Sequence, residues 1–346
     1  MAEELKIGVL GLTHDHAWGN LAELEASDLG RLVAAADPNE ELRDKVRADT
    51  SCERVYDEPE EMLSDEALDA VYVFGDNLNG AANAATALAT DLPVLVEKPM
   101  ASSVALADVM LQASRESDRA LMINWPFAWW PSMQQALAMA EAGDIGRVFS
   151  TRYRSAHNGP QALGCSEYFC EWLYDSELNG AGALMDYCCY GAALAAAVLG
   201  RPSTVTGVSN RLVHDFSPQE DNAILILNYP DAMSVTEASW SQIGHVTSYV
   251  GVLYGTAGTL QITSDRLLLA TEEHDMGVEV DPSPVPEHWS SATACFLNHL
   301  VNGTDIIPLC TDTVGRNAQE ILQAGLESCH TGKAVSLPLP FMNPYV

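Results

Sequence analysis

Through the first third of the chain, short apolar runs alternate with amphipathic stretches. Residues 5–10, 31–36, 55–56, 70–74, 93–96 and 120–123 read as strands. Residues 16–26, 40–48, 59–64, 81–90 and 102–118 read as the helices between them. Most of these strand runs lack an apolar–polar alternation, which is expected of strands buried on both faces of a parallel sheet. Strand–helix–strand units close with right-handed crossovers, so residues 1–124 are expected to form a doubly wound α/β domain.

The pattern changes after residue 125. Helical segments at 131–142 and 182–199 surround an extended stretch at 148–155. Strand-like runs follow at 204–212, 223–229, 233–239, 247–254 and 259–263, and 312–328 reads as a closing helix. Tight turns such as Tyr229-Pro230-Asp231 favour antiparallel neighbours. Residues 125–346 are therefore expected to form an α+β domain with an open, largely antiparallel sheet. An open sheet offers a surface for a homo-oligomer.

Composition changes the picture mainly through charge. The 346 residues carry 48 acidic and 17 basic side chains, a formal charge of −31. Such a chain repels nucleic acid and anionic membranes. The acids are dispersed (Glu40-Glu41, residues 57–61, Asp65-Glu66, Glu272-Glu273), and there are only four lysines. Concentrated salt screens that self-repulsion, so the expected setting is the cytoplasm of a halophilic microbe. Residues 1–6 lead directly into a strand, with no secretory signal expected. The low-charge stretch 182–200 contains Asp186 and reads as a helix packed inside the protein rather than a membrane span. The eight cysteines form no CxxC pair and read as buried thiols in a reducing compartment, without the spacing of a zinc site.

The candidate chemistry starts at Val94-Leu95-Val96-Glu97-Lys98-Pro99. The buried strand stops at a charged pair and a proline, and ligands of such sheets bind outside the carboxyl ends of the strands. Lys98 thus stands where a substrate would; the alternative is a solvated loop lysine.

Three motifs in order resemble the Gfo/Idh/MocA oxidoreductase family over essentially the whole chain. They are Ile7-Gly8-Val9-Leu10-Gly11, Glu97-Lys98-Pro99, and Gly180-Ala181-Gly182-Ala183-Leu184-Met185-Asp186-Tyr187-Cys188-Cys189-Tyr190. Tyrosine four residues after Asp186 resembles the branch with glucose–fructose oxidoreductase, aldose dehydrogenases and dihydrodiol dehydrogenase. The resemblance implies an NAD- or NADP-dependent enzyme acting on a sugar or sugar-like polyol. Lys98, Tyr190 and Asp186 would be its catalytic residues. Tyr190 would exchange the alcohol proton, Lys98 would favour its phenolate while burial opposes it, and Asp186 would orient substrate hydroxyls or hold Lys98. The alternatives are a core tyrosine for Tyr190 and a helix N-cap for Asp186. Gly180 and Gly182 would let the backbone approach closely before that helix.

The dinucleotide loop departs from the pattern. G-x-G-x-x-G is expected at positions 11–16, and the chain has Gly11-Leu12-Thr13-His14-Asp15-His16. Leu12, Thr13 and His14 would still line the diphosphate, with Thr13 capping the helix or offering its hydroxyl and His14 or His16 adding a donor. A metal site from His14, Asp15 and His16 is not expected, because adjacent residues rarely converge on one ion. Asp37, ending the second strand, is either a ribose acceptor pointing to NAD over NADP or a turn-initiating residue before Pro38. Asn77, Glu97 and Lys98 complete the expected cofactor contacts, Asn77 at the nicotinamide ribose. His157 and Trp172, in a polar and aromatic stretch, are the expected substrate contacts beside Asp186. A rival reading is a catalytically silent sugar- or nucleotide-binding module on the same fold.

Overall fold

The computed structural model describes residues 4–340. Residues 1–3 and 341–346, the outer ends of the two expected domains, lie outside the described residues.

The first sheet contains β1 (Leu5–Leu10), β2 (Gly30–Ala36), β3 (Arg54–Tyr56), β4 (Ala70–Val73), β5 (Val94–Glu97) and β6 (Leu121–Asn124). Its pairings are all parallel and its order is 3-2-1-4-5-6. Helices α1 (His16–Glu25), α2 (Glu40–Asp49), α3 (Pro59–Asp65), α4 (Asn79–Ala89) and α5 (Val104–Ser117) connect the strands. Every residue of β4, β5 and β6 is buried, which accounts for their unalternating apolar sequences. The order reverses between β1 and β4, so the loops after these strands open a shared crevice. Gly11 has φ of 79°, and a Cβ there would lie 2.7 Å from the backbone of Gly75. Only glycine lets these two loops touch.

The second half contributes α6 (Pro131–Ala142), β7 (Val148–Ala156), α7 (Glu167–Leu173), α8 (Ser176–Asn179) and α9 (Ala183–Leu199). Then come β8 (Thr204–Asn210), β9 (Asn222–Asn228), β10 (Met233–Ser239), β11 (Val250–Gly255), β12 (Thr259–Ile262), β13 (Leu267–Ala270) and β14 (Val278–Glu279). Helices α10 (Ala292–Asn302) and α11 (Asp312–Thr331) and the short β15 (Val335–Ser336) complete it. The nine strands are ordered 14-13-12-11-7-10-9-8-15, and the β7–β10 pair is parallel while the others are antiparallel.

That one parallel pair positions the site. Ala156 at the end of β7 lies beside Ser239 at the end of β10, so His157 and Trp240 emerge together at one edge. Helix α9 crosses this part of the sheet, with α11 packed on it. By length and composition Ser176–Leu199 would suit a membrane span, yet 83% of its 18-residue apolar window is buried inside the fold. The outer face of the sheet stays open and carries Val208, Ile224, Ile226 and Met233, all exposed.

The expected strand at 247–254 begins only at Val250, because Thr247 and Tyr249 take left-handed conformations (φ 59° and 52°). Strands β13, β14 and β15 and helices α7, α8 and α10 are additions to the sequence-based reading.

Candidate active site

Lys98 follows β5 and meets the first turn of α9. Gly180, at φ of 95°, precedes that helix where any Cβ would run into the carbonyl oxygen of Ser102. Glu220 supplies the cap: its Oε1 accepts from the amides of Gly182 (2.8 Å) and Leu184 (2.9 Å). Asp186 is therefore not the N-cap. It lies in the first turn, one turn before Tyr190, and both side chains are buried.

Lys98 Nζ donates to Asp186 Oδ1 at 2.8 Å, and Trp240 Nε1 donates to Asp186 Oδ2 at 3.0 Å. The same ammonium stands 5.2 Å from the ring centre of Tyr190 and 5.7 Å from that of Tyr187. Burial disfavours the charge on Lys98, but Asp186 with Tyr190 and Cys189 outweighs it, and its pKa lies well above the ordinary lysine value. For Tyr190, burial wins over the pull of Lys98, and the phenol is pushed well above its ordinary value.

Aromatic rings enclose Tyr190. Phe127 and Trp125 meet it edge-on at 5.3 and 6.2 Å, and Tyr153 stacks on it at 5.9 Å. Tyr187 Oη is 2.7 Å from Tyr249 Oη. His157 stands edge-on to Tyr187 at 4.8 Å, and burial pushes its pKa down to about 4. Tyr153, Ser155 and His157 occupy alternate positions on or next to β7, all on its buried side. Each keeps a polar atom (Tyr153 Oη, Ser155 Oγ, His157 Nδ1) with no hydrogen-bond partner among the described residues. Buried polar atoms of this kind are costly unless a ligand or water satisfies them.

At the first loop, Leu12 is buried and its amide donates to Asp37 Oδ2 at 2.7 Å. Asp37 Oδ1 accepts from the amide and side chain of Asn39, each at 2.8 Å. The Asp37 carboxylate thus has protein partners on both oxygens. Thr13 does not cap α1, contrary to expectation; Asp15 holds the N-cap position without a side-chain capping bond. Asp15 Oδ2 instead accepts from the amide of Ser166, next to α7 (2.8 Å). Trp172 packs 5.8 Å from His14, on the loop side of the site. Asn77 turns to Asn179, its Nδ2 donating to Asn179 Oδ1 at 2.8 Å. Glu97 Oε2 accepts from the Lys98 amide and pairs with His16 Nδ1, both at 3.1 Å, and Oε1 accepts from Asn124. The loop retains two features of an anion cradle: the N-cap Asp15 spends no side-chain bond on the amides of α1, of which His14 Nδ1 accepts that of His16 at 3.2 Å, and no acid stands in the first turn. Those features fit a dinucleotide diphosphate, with two histidines near positions usually held by glycine.

Tyr187, Trp240, Tyr249, Asn124 and Glu220 were not singled out from sequence. The period-two pattern through residues 153–157 could have found Tyr153 and Ser155; Trp240 and Tyr249 reach the site through long-range sheet pairing that leaves no local signal.

Two family descriptions match this chain. "Oxidoreductase family, NAD-binding Rossmann fold" covers residues 5–125, and "GFO/IDH/MocA C-terminal domain" covers residues 133–261. The D-xylose 1-dehydrogenase (NADP(+)) of Haloarcula marismortui is 26% identical over 80% of this chain and 77% of that protein. The D-apiose dehydrogenase of Rhizobium rhizogenes is 24% identical, over 82% of this chain and 79% of its own length. Among solved structures, an oxidoreductase from Agrobacterium radiobacter in complex with NAD+, L-tartaric acid and magnesium superposes with a TM-score of 0.81. It is 20% identical, covering 96% of this chain and 98% of that one. With both halves matched and the strand order of a dinucleotide-binding sheet, the chain belongs to the Gfo/Idh/MocA family of NAD(P)-dependent oxidoreductases.

Proposed function

We propose that this protein transfers hydride between NAD(P) and a hydroxyl-bearing carbon of a sugar or sugar-like polyol. Tyr190 exchanges the alcohol proton, and Lys98 and Asp186 hold the reacting oxygen. The observation that carries this reading is the buried Lys98–Asp186 pair against the ring of Tyr190, at the carboxyl end of β5. When bound, the dinucleotide supplies the hydride acceptor or donor at its nicotinamide. Lys98 donates to Asp186 Oδ1 at 2.8 Å and more weakly to the Asp186 carbonyl at 3.5 Å, and its third N–H is available to a substrate oxygen, whose developing negative charge the ammonium stabilises. The unpartnered polar atoms of Tyr153, Ser155 and His157 suit further hydroxyls. Gly11, Leu12, Thr13, His14, Asp37, Asn77 and Glu97 form the cofactor side in this reading, with His157 and Asp186 on the substrate side and Trp172, beside His14, between the two. The sugar dehydrogenases among the relatives support the substrate class, and the acidic composition with the Haloarcula relative supports a halophilic source. The open apolar sheet face supports a homo-oligomer.

Screening aldoses and polyols with NAD+ and NADP+ in molar KCl tests the reading. Lys98→Met is expected to abolish turnover in a chain still folded by circular dichroism; retained activity rejects the assignment. The departures at the glycine positions favour a silent binding module as the second reading. Nicotinamide fluorescence on titrating NADH, followed by the substrate screen, separates the two.

A further inference from the structure

His14 and His16 are separated by one residue, and their rings would ordinarily diverge. Here the ring centres are 4.5 Å apart. His14 Nε2 and His16 Nδ1 face the same atom, Glu97 Oε2, at 3.9 and 3.1 Å. The three ligand atoms lie within 4.8 Å of one another, while Asp15 between the histidines turns away to Ser166. The set needs to close by about an ångström to reach one ion with metal–ligand bonds of roughly 2.0–2.2 Å.

We propose that His14, His16 and Glu97 bind one divalent transition-metal ion of the zinc class, with water or another oxygen donor completing a four-coordinate shell. Two imidazoles and one carboxylate suit zinc, cobalt or nickel better than magnesium or calcium, which favour all-oxygen shells. An outer shell already stands behind the ligands. Asn124 engages Glu97 Oε1 and is itself held by Trp129 Nε1, which donates to Asn124 Oδ1 at 2.9 Å, while Oε2, which also accepts from the Lys98 amide at 3.1 Å, faces the imidazoles. The His14 ring is fixed edge-on against Phe169 at 4.7 Å.

The His16 side chain is 40% exposed and gives an ion its route from solvent. The Lys98 charge next door is offset by Asp186. Binding gives up two contacts, the His16 amide to His14 Nδ1 at 3.2 Å and the direct bond between His16 Nδ1 and Glu97 Oε2 at 3.1 Å, as each ring moves its proton to the nitrogen away from the ion. The site does not depend on which substrate the enzyme takes.

Full-length protein stripped with chelator, then titrated with Co2+ in molar KCl with excess Mg2+ to occupy surface carboxylates, tests the proposal. The expected result is one equivalent per chain, visible bands stronger than those of hydrated Co2+, and displacement by Zn2+. His16→Ala and His16→Gln, both at a half-exposed position, are expected to weaken binding at least about tenfold. Glu97→Gln is expected to do the same. Binding well below one equivalent, or undiminished binding in both His16 variants, overturns the site.

Discussion

Lys98 and Asp186 form an ion pair of 2.8 Å with both side chains almost wholly buried, and Trp240 holds the second carboxylate oxygen at 3.0 Å. Removing one member strands a charge in a low-dielectric site. Asp186→Ala is expected to lower unfolding free energy by about 3–5 kcal/mol. The double variant Lys98→Met, Asp186→Leu is expected to recover much of that loss while remaining inactive. Urea titrations of the two variants check this. A double variant no more stable than Asp186→Ala would mean the pair is not the source of the loss.

Tyr190 is held protonated by its burial, with Lys98 only partly countering. Acting as a base in alcohol oxidation it must first lose that proton. The expected kcat/KM for oxidation therefore rises about tenfold per pH unit, with no plateau below about pH 9. Tyr190→Phe should lose that slope and about 10²–10⁴ in rate, with KM little changed. A pH-independent wild-type profile, or a fully active phenylalanine variant, excludes Tyr190 as the proton carrier.

Local patterning carried much of the fold. The unalternating runs of β4, β5 and β6 announced a parallel sheet because those residues are buried on both faces. The Lys98–Asp186 meeting was legible only through motif order, since no periodicity connects residues 88 positions apart. Helix α10 has a local signal in its cap, where Ser291 accepts from the Ala294 amide at 3.2 Å. Strand β13 is a four-residue apolar run, too short to separate from a buried loop by pattern. The convergence of His14 and His16 ran against the spacing argument. A turn before α1, with Asp15 drawn to Ser166, reorients the rings.

His157 offers a test away from the ion pair. Its folded pKa is about 4 against 6.5 for the free side chain, with burial the main cause. Asp186 faces it and raises the value, while Lys98 and His214 lower it. A depressed histidine contributes stability that is complete above about pH 6.5. That contribution is lost as pH falls toward 4, because the unfolded chain takes the proton first. The loss should reach about 3 kcal/mol. His157→Gln is expected to flatten this part of the acid limb when denaturant midpoints at pH 7 and pH 4.5 are compared. Parallel limbs in the two proteins would reject it.

Asp37 has two readings that one variant distinguishes. Its oxygens accept from the Leu12 amide and from Asn39, so it shapes the loop whatever else it contacts. Asp37→Ala is expected to destabilise the protein by about 1–3 kcal/mol and to weaken NAD and NADP alike. A selective loss of NAD affinity, with stability unchanged, would instead mark it as a ribose contact alone.

Salt is the remaining lever. With 48 acids and 17 bases, one-to-one pairing leaves at least 31 carboxylates without a cation. The surface pairs the fold does make, such as Arg47–Asp44 and Arg266–Glu279, are exposed and individually worth little. Folding brings the unpaired carboxylates closer than they lie in the extended chain, and the repulsion extends over the Debye length. That length shrinks from about 10 Å at 0.1 M salt to about 3 Å at 1 M. Screening should therefore favour the folded state, and Tm is expected to climb steadily between dilute buffer and molar KCl. Sucrose, which strengthens burial without screening, separates the two effects. If sucrose at equal osmolality raises Tm as much as KCl does, charge repulsion is not what salt relieves; a Tm independent of KCl would remove the idea altogether.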